Sequence, residues 1–160
     1  MKAPTAVLLA YAGCDTCRKA RAWLDAQGLA YSVRPIVDEP PTVAELGRWM
    51  PASGVGVRKW LNTSGQSYRA LGKAAVDAAD DATLVAWLAA DGKLVKRPVF
   101  VRGETVLVGF KPEAWGAALG DNAIVTLDAG TFGAPFYRKV AWRLGQRLLA
   151  PIAGSMGYGM

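Results

Sequence analysis

There is no histidine in this 160-residue chain, and that absence removes more chemistry than any other feature of its composition. Without imidazole there is no Ser-His-Asp or Cys-His mechanism, no imidazole acid–base step, and few of the donor sets that hold catalytic metals. Cysteine is nearly as scarce. The two residues, Cys14 and Cys17, are too few for the disulfide framework of a small secreted domain, which points to a reducing compartment and a cytoplasmic protein. No apolar run approaches the roughly 20 residues that a membrane-spanning helix needs. Acidic residues are outnumbered, 13 against 19 basic, which leaves a formal charge of +6. That excess suits an anionic partner, but a solvated positive surface has the same composition. The length fits a domain able to bury a real core.

What is present concentrates around Cys14-Asp15-Thr16-Cys17-Arg18-Lys19. The apolar run from Ala6 to Tyr11 has the length of a buried strand. From Arg18 to Gln27 there is no Gly or Pro; Ala20, Trp23, Leu24 and Gln27 recur at helical spacing, and Gly28 supplies a stop. The order strand, cysteine loop, helix puts Cys14 at a helix N-terminus, where orphan N–H groups and the dipole favour a thiolate. Arg18, Lys19 and Arg21 add positive charge. Cys14 is therefore the expected nucleophile and Cys17, one turn further on and more shielded, the resolving thiol. Other readings of the pair fit less well. Half a zinc site would need ligands from a second chain. A disulfide closing so short a loop would stabilise the fold weakly. A lipoprotein signal acylated at Cys14 would have only Lys2 as its charged region and would leave Cys17 unexplained.

Beyond Gly28, the segment 30–37 alternates as a second strand, parallel to the first through a right-handed crossover. A βαβ unit carrying Cys-x-x-Cys reads as thioredoxin-like. Asp38-Glu39-Pro40-Pro41 is a break, and Thr42 with Glu45 has capping-box spacing for a helix running to about Met50, where Pro51 to Gly54 interrupts. A short helix at Val57–Leu61 and another at Ala82–Ala90, capped by Asp80 or Asp81, make 42–91 a mostly helical insertion. Strand residues return at Lys93–Val101, where Arg97-Pro98 stands at the place of the cis-proline that such folds set beside the redox cysteine. A hairpin across Arg102-Gly103-Glu104 leads to Thr105–Gly109, and Pro112 opens a helix to Leu119. The tryptophans at 23, 49, 60, 87, 115 and 142 fall on helices and read as packing residues.

Cys14-Asp15-Thr16-Cys17-Arg18-Lys19-Ala20-Arg21, Pro40-Pro41-Thr42, the block Arg58 to Gly65 with Tyr68-Arg69 and Leu71-Gly72, Val95-Lys96-Arg97-Pro98 and Val108-Gly109-Phe110 are in register along the chain. Together they resemble the arsenate reductase-like (ArsC/Spx) family over roughly residues 5–119. The resemblance implies an α/β fold, a thioredoxin-like mixed four-stranded sheet with an inserted helical subdomain, and a domain over 1–119. In arsenate reductases of the family the residue matching Cys14 attacks arsenate and arginines hold the oxyanion. One of these matches Arg97, a second falls on Asn62, whose neutral amide cannot supply the charge, and a third falls beside Lys111. These residues, with Arg18, complete the candidate substrate site. Arg58 and Arg69 are expected to be solvated or paired with acids such as Asp77. In Spx-type regulators the cysteine pair is a thiol–disulfide switch and the protein binds RNA polymerase, whereas Asn62-Thr63-Ser64-Gly65 is closer to the uncharacterised reductase-like branch. The expected partner is a thiol, disulfide or oxyanion substrate, with no direct nucleic-acid contact. No bound cofactor is expected, and glutathione, glutaredoxin and thioredoxin are the candidate electron donors.

Residues 120–160 lie outside the resemblance and form an expected C-terminal extension. A short strand is expected at Ile124–Leu127, and then a linker. A basic amphipathic helix follows over 136–150, with Phe136, Val140, Leu144 and Leu148 on one side and Arg138, Lys139, Arg143 and Arg147 elsewhere.

Overall fold

The computed structural model of the chain describes residues 6–120, 124–126 and 147–149. Strand β1 (Ala6–Ala10) is almost wholly buried, with Leu8 and Leu9 at 0 % exposure, as befits a strand flanked on both sides. Helix α1 (Asp15–Ala26) carries the chain over to β2 (Tyr31–Pro35), which pairs with β1 in parallel, Leu8 opposite Val33. On the other side β1 pairs antiparallel with β3 (Val99–Arg102), Leu8 opposite Phe100. Gly103, at φ 59, makes the turn into β4 (Thr105–Val108), which pairs antiparallel with β3. The sheet order is β2-β1-β3-β4, a mixed four-stranded sheet of the thioredoxin-like type. The cysteine loop leaves the C-terminal end of a central strand, where open α/β sheets gather their ligands.

The insertion between β2 and β3 is helical, as its sequence predicts. Helix α2 (Val43–Ser53) starts in a full capping box: Thr42 accepts the Glu45 N–H and the Glu45 carboxylate accepts the Thr42 N–H. Arg34 of β2 reaches the same carboxylate at 2.8 Å and so ties the insertion to the sheet edge. Burial would raise the Glu45 carboxyl, yet the Arg34 guanidinium and the Thr42 N–H hold it below its ordinary value.

The expected stop of α2 at Met50 is corrected. Pro51 sits inside the helix, which runs to Ser53 and closes at Gly54, φ 67. A proline this near a C-terminus forfeits one hydrogen bond and still permits a last turn. A 3-10 turn (Val57–Trp60) follows, then α3 (Gln66–Leu71), α4 (Lys73–Ala78) and α5 (Asp81–Ala90). Of the two candidate caps for α5, Asp80 accepts the Thr83 N–H and is the one used.

Leu9 of the sheet, Ile36, and Leu46, Trp60, Leu84 and Leu88 of the insertion form one buried cluster. Truncating such a leucine to alanine costs about 2–5 kcal/mol, which is why the insertion is a fixed wall. Gly92 is obligatory at its foot, because a Cβ there would stand 1.7 Å from the Ile36 carbonyl oxygen. Of the predicted packing tryptophans, Trp60 and Trp115 are buried, Trp49 and Trp87 pack partly buried on the cluster, and Trp23 meets Phe110 edge-on at 6.2 Å. Trp142 lies outside the described residues.

The chain divides into two compact units, Met1–Phe110 and Lys111–Met160. The second contains α6 (Pro112–Leu119), opened by its proline as expected, and strands β5 (Ile124–Thr126) and β6 (Arg147–Leu149), which pair in parallel. The basic helix expected over 136–150 is corrected at its end, where Arg147–Leu149 is strand. Backbone pairing with β5 decides there, because a short apolar run fits either structure. The remainder of that expected helix lies outside the described residues. Among the described residues no helix is long and apolar enough to cross a membrane.

Candidate functional site

After Ala10 the chain turns sharply, and the Cys14 N–H donates to the Tyr11 carbonyl at 3.1 Å. Cys14 is the N-cap of α1, its backbone extended at φ −107 and ψ 114, and its Sγ accepts the Cys17 N–H at 3.3 Å. The sulfur thus stands where a Ser or Asp oxygen commonly caps a helix. The helix begins at Asp15, so Cys14 stands at its N-terminus and Cys17 in its first turn, as the sequence leads one to expect.

The two thiols are free and unequal. Cys14 is partly exposed, and Cys17 is 1 % exposed. Burial pushes the Cys17 thiol from 9.0 up to about 12; a hydrogen bond with the Cys14 sulfur pushes the same way, a backbone hydrogen bond with Tyr11 opposes it, and the charges of Cys14 and Arg97 act weakly in opposite directions.

Arg97 belongs to the segment that enters β3, and its bond to Pro98 is cis, as the resemblance leads one to expect. The Arg97 Cζ lies 5.0 Å from the centroid of the Tyr11 ring, and its charge is felt at Cys17. Among the described residues it makes no ion pair with a carboxylate. Tyr11 is the site residue that sequence reasoning misses. It reads as the last residue of a buried strand but lies beyond β1 and is 41 % exposed. The available signal is the Ala12-Gly13 pair behind it, since only a residue without a Cβ at 13 leaves room for the ring: a Cβ on Gly13 would stand 2.9 Å from the Tyr11 Cε1.

A cleft of about 490 Å³ opens on the β2 side of the loop, with Tyr11, Cys17, Arg18, Arg21, Val33 and Pro35 in its lining. Arg18 is exposed and paired with Asp15 in the first turn of α1. The other candidates are occupied differently. The Asn62 side-chain amide donates to the Lys93 carbonyl at 3.1 Å and its oxygen accepts the Ser64 hydroxyl at 3.2 Å, so it holds the 62–65 turn against the segment before β3. Arg58 is paired, but with backbone: it donates to the carbonyls of Val76 and Ala79 at the end of α4, while the Asp77 carboxylate takes Lys73. Lys111 is exposed at the N-cap of α6, in the second unit. Among the described residues no group of three or more metal-ligating side chains comes together.

The chain is 39 % identical over 104 residues to the uncharacterized protein YusI of Bacillus subtilis, covering 64 % of this chain and 88 % of YusI. It is 27 % identical over 102 residues to the regulatory protein MgsR of Bacillus subtilis, covering 64 % and 80 %. It is 26 % identical over 100 residues to the global transcriptional regulator Spx of Staphylococcus saprophyticus, covering 62 % and 76 %. Among solved structures, an ArsC family related protein from Bacteroides fragilis superimposes with a TM-score of 0.66 at 46 % identity, covering 69 % of this chain and 96 % of that one. An arsenate reductase from Vibrio cholerae gives 0.63 at 28 % identity, covering 71 % and 96 %. The ArsC family model matches residues 9–118, a span that runs from the end of β1 into α6 and takes in Cys14, Cys17 and Arg97, and the chain belongs to the ArsC family.

Proposed function

We propose that the protein is a thiol-dependent oxidoreductase in which Cys14 attacks and Cys17 resolves. The carrying observation is the inequality of the two thiols: Cys14 partly exposed at the helix N-cap, Cys17 buried and held protonated up to about 12. The Cys14 thiolate attacks one sulfur of a substrate disulfide, forming a mixed disulfide and releasing the other sulfur as a thiolate. Cys17 then gives up its proton and attacks the Cys14 sulfur, the substrate's second sulfur leaves, and a Cys14–Cys17 disulfide remains. The substrate disulfide is reduced by two electrons and the cysteine pair is oxidised by two; an external thiol such as glutathione, or a dithiol protein, restores the pair. The first step also prepares the second. Two of the effects that raise the Cys17 thiol come from Cys14, its hydrogen bond and its charge. Burial, the largest cause, remains, but the charge of Cys14 is gone and its hydrogen bond weakened once Cys14 is a neutral disulfide, while the Arg97 charge that favours the Cys17 thiolate persists.

A disulfide is favoured over arsenate as substrate. The position that resemblance assigns to a second oxyanion-binding arginine is Asn62, whose amide is engaged with the Lys93 carbonyl. The test is turnover of a glutathione mixed disulfide, with arsenate in parallel. Wild type should reduce the disulfide, Cys14→Ser should not, and Cys17→Ser should accumulate a covalent adduct at position 14. Equal rates for wild type and Cys14→Ser would overturn the reading.

The kinship to MgsR and Spx supports a second reading, a redox-switched regulator that contacts RNA polymerase. It requires capture of the polymerase to differ between the dithiol and disulfide forms, and capture indifferent to dithiothreitol would remove it.

A further inference from the structure

Arg97 is a half-buried cation without a carboxylate partner among the described residues. What it has is the face of Tyr11, 5.0 Å away. The difference matters chemically. A carboxylate would orient an arginine by occupying its N–H fork, the same fork that recognises an anion. An aromatic face orients the cation through its π cloud and leaves the N–H groups in the guanidinium plane free to donate.

Tyr11 is in turn held by the loop that carries the nucleophile. Its carbonyl accepts the Cys14 N–H, and its ring lies on Gly13 so closely that a Cβ there would meet Cε1 at 2.9 Å. Gly13 has no positive φ, so its lack of a side chain serves the ring and not the backbone. We infer that Tyr11 is a positioning residue that stacks Arg97 beside the cysteine loop with its donors free, and thereby selects anionic over neutral reactants at Cys14. This rests on Cys14 as the nucleophile and adds how its substrate is chosen: a disulfide bearing a carboxylate near the scissile sulfur is preferred to a neutral one of the same size.

The selection can be read without knowing the substrate. Iodoacetate and iodoacetamide both alkylate the thiolate and differ in charge, so the ratio of their rates at Cys14 cancels the thiolate fraction and reports local positive charge. Arg97→Gln should lower the iodoacetate-to-iodoacetamide ratio about fivefold, equivalent to about 1 kcal/mol. Tyr11→Leu should lower it about two- to threefold, the loss of a partly exposed cation–π contact, and Tyr11→Phe should leave it near the wild-type value. Gly13→Ala, which crowds the ring off its seat without touching a polar group, should reproduce Tyr11→Leu, and combining the two should add nothing further. The same ordering should hold for the rates of an anionic against a neutral disulfide.

If Arg97→Gln lowers the ratio while Tyr11→Leu and Gly13→Ala leave it unchanged, the positioning role is refuted and the nucleophile assignment stands. If Arg97→Gln itself has no effect, both the selection and the role of Tyr11 are refuted. If Cys14→Ser leaves the fast-reacting thiol in place, the nucleophile assignment fails. Because Tyr11 is 41 % exposed, its variants are expected to keep the fold, and unchanged urea midpoints will verify this.

Discussion

Labelling the two thiols with iodoacetamide separates them on physical grounds alone. At pH 8 a thiol with the ordinary value of 9.0 is about one-tenth ionised, whereas one raised to about 12 is ionised in about one molecule in ten thousand. The thiolate is the reactive species, so Cys17 should label about a thousandfold more slowly than a cysteine in an unstructured peptide, before its burial adds a steric penalty. Intact-mass spectrometry of the folded protein at pH 8 should therefore show one adduct, mapped to Cys14, and a second only after guanidinium unfolds the chain. The residual labelling of Cys17 should rise about tenfold per pH unit from 8 to 11, without the plateau a normal thiol reaches just above 9.0. In Cys14→Ala it should quicken, because the hydrogen bond and charge of Cys14 both raise the Cys17 thiol, yet stay well below the peptide rate because burial remains. Two adducts forming at comparable rates in the folded protein, or a first adduct on Cys17, would refute the inequality on which the proposed mechanism stands.

Two further outcomes follow from the same contacts. Because the folded-state value of Cys17 lies above its unfolded value, its contribution to stability is whole below 9.0 and is lost as pH rises toward about 12, at most about 3 kcal/mol by pH 11; urea unfolding at pH 8 and 11 should show a smaller alkaline loss for Cys17→Ala, and equal losses would contradict it. Asn62→Ala should cost about 0.5–1.5 kcal/mol, the net worth of its exposed hydrogen bonds to the Lys93 carbonyl and the Ser64 hydroxyl, which water can replace, with disulfide reduction at Cys14 unchanged; a stable variant with lost turnover would make Asn62 a substrate ligand instead.

Much of the architecture is legible in the residues because it rests on local rules. An apolar run, Cys-x-x-Cys and a Gly-free amphipathic stretch specify β1, the loop and α1, and Thr42 with Glu45 announces α2. The limits of this reading are local too. Pro51 reads as a stop, yet the helix runs on to Ser53, whose hydroxyl donates to the Met50 carbonyl, and closes at the left-handed Gly54. Two short helices, α3 and α4, separated by Gly72 at φ 82, are too brief to show a periodicity.

The sequence by itself determined the strand, the cysteine loop and the helix behind it, and in a chain without histidine it pointed to Cys14 and Cys17, spaced for one helical turn, and to Arg97 beside its proline. Only the tertiary structure decided which groups meet. It buried Cys17 and left Cys14 partly exposed, turned Asn62 and Arg58 to backbone carbonyls, and laid Tyr11 between Gly13 and Arg97. The reason is range. Helix caps and turns are set within a few residues, whereas desolvation of a thiol and the stacking of residues 11 and 97 depend on strands that pair only when the chain has closed.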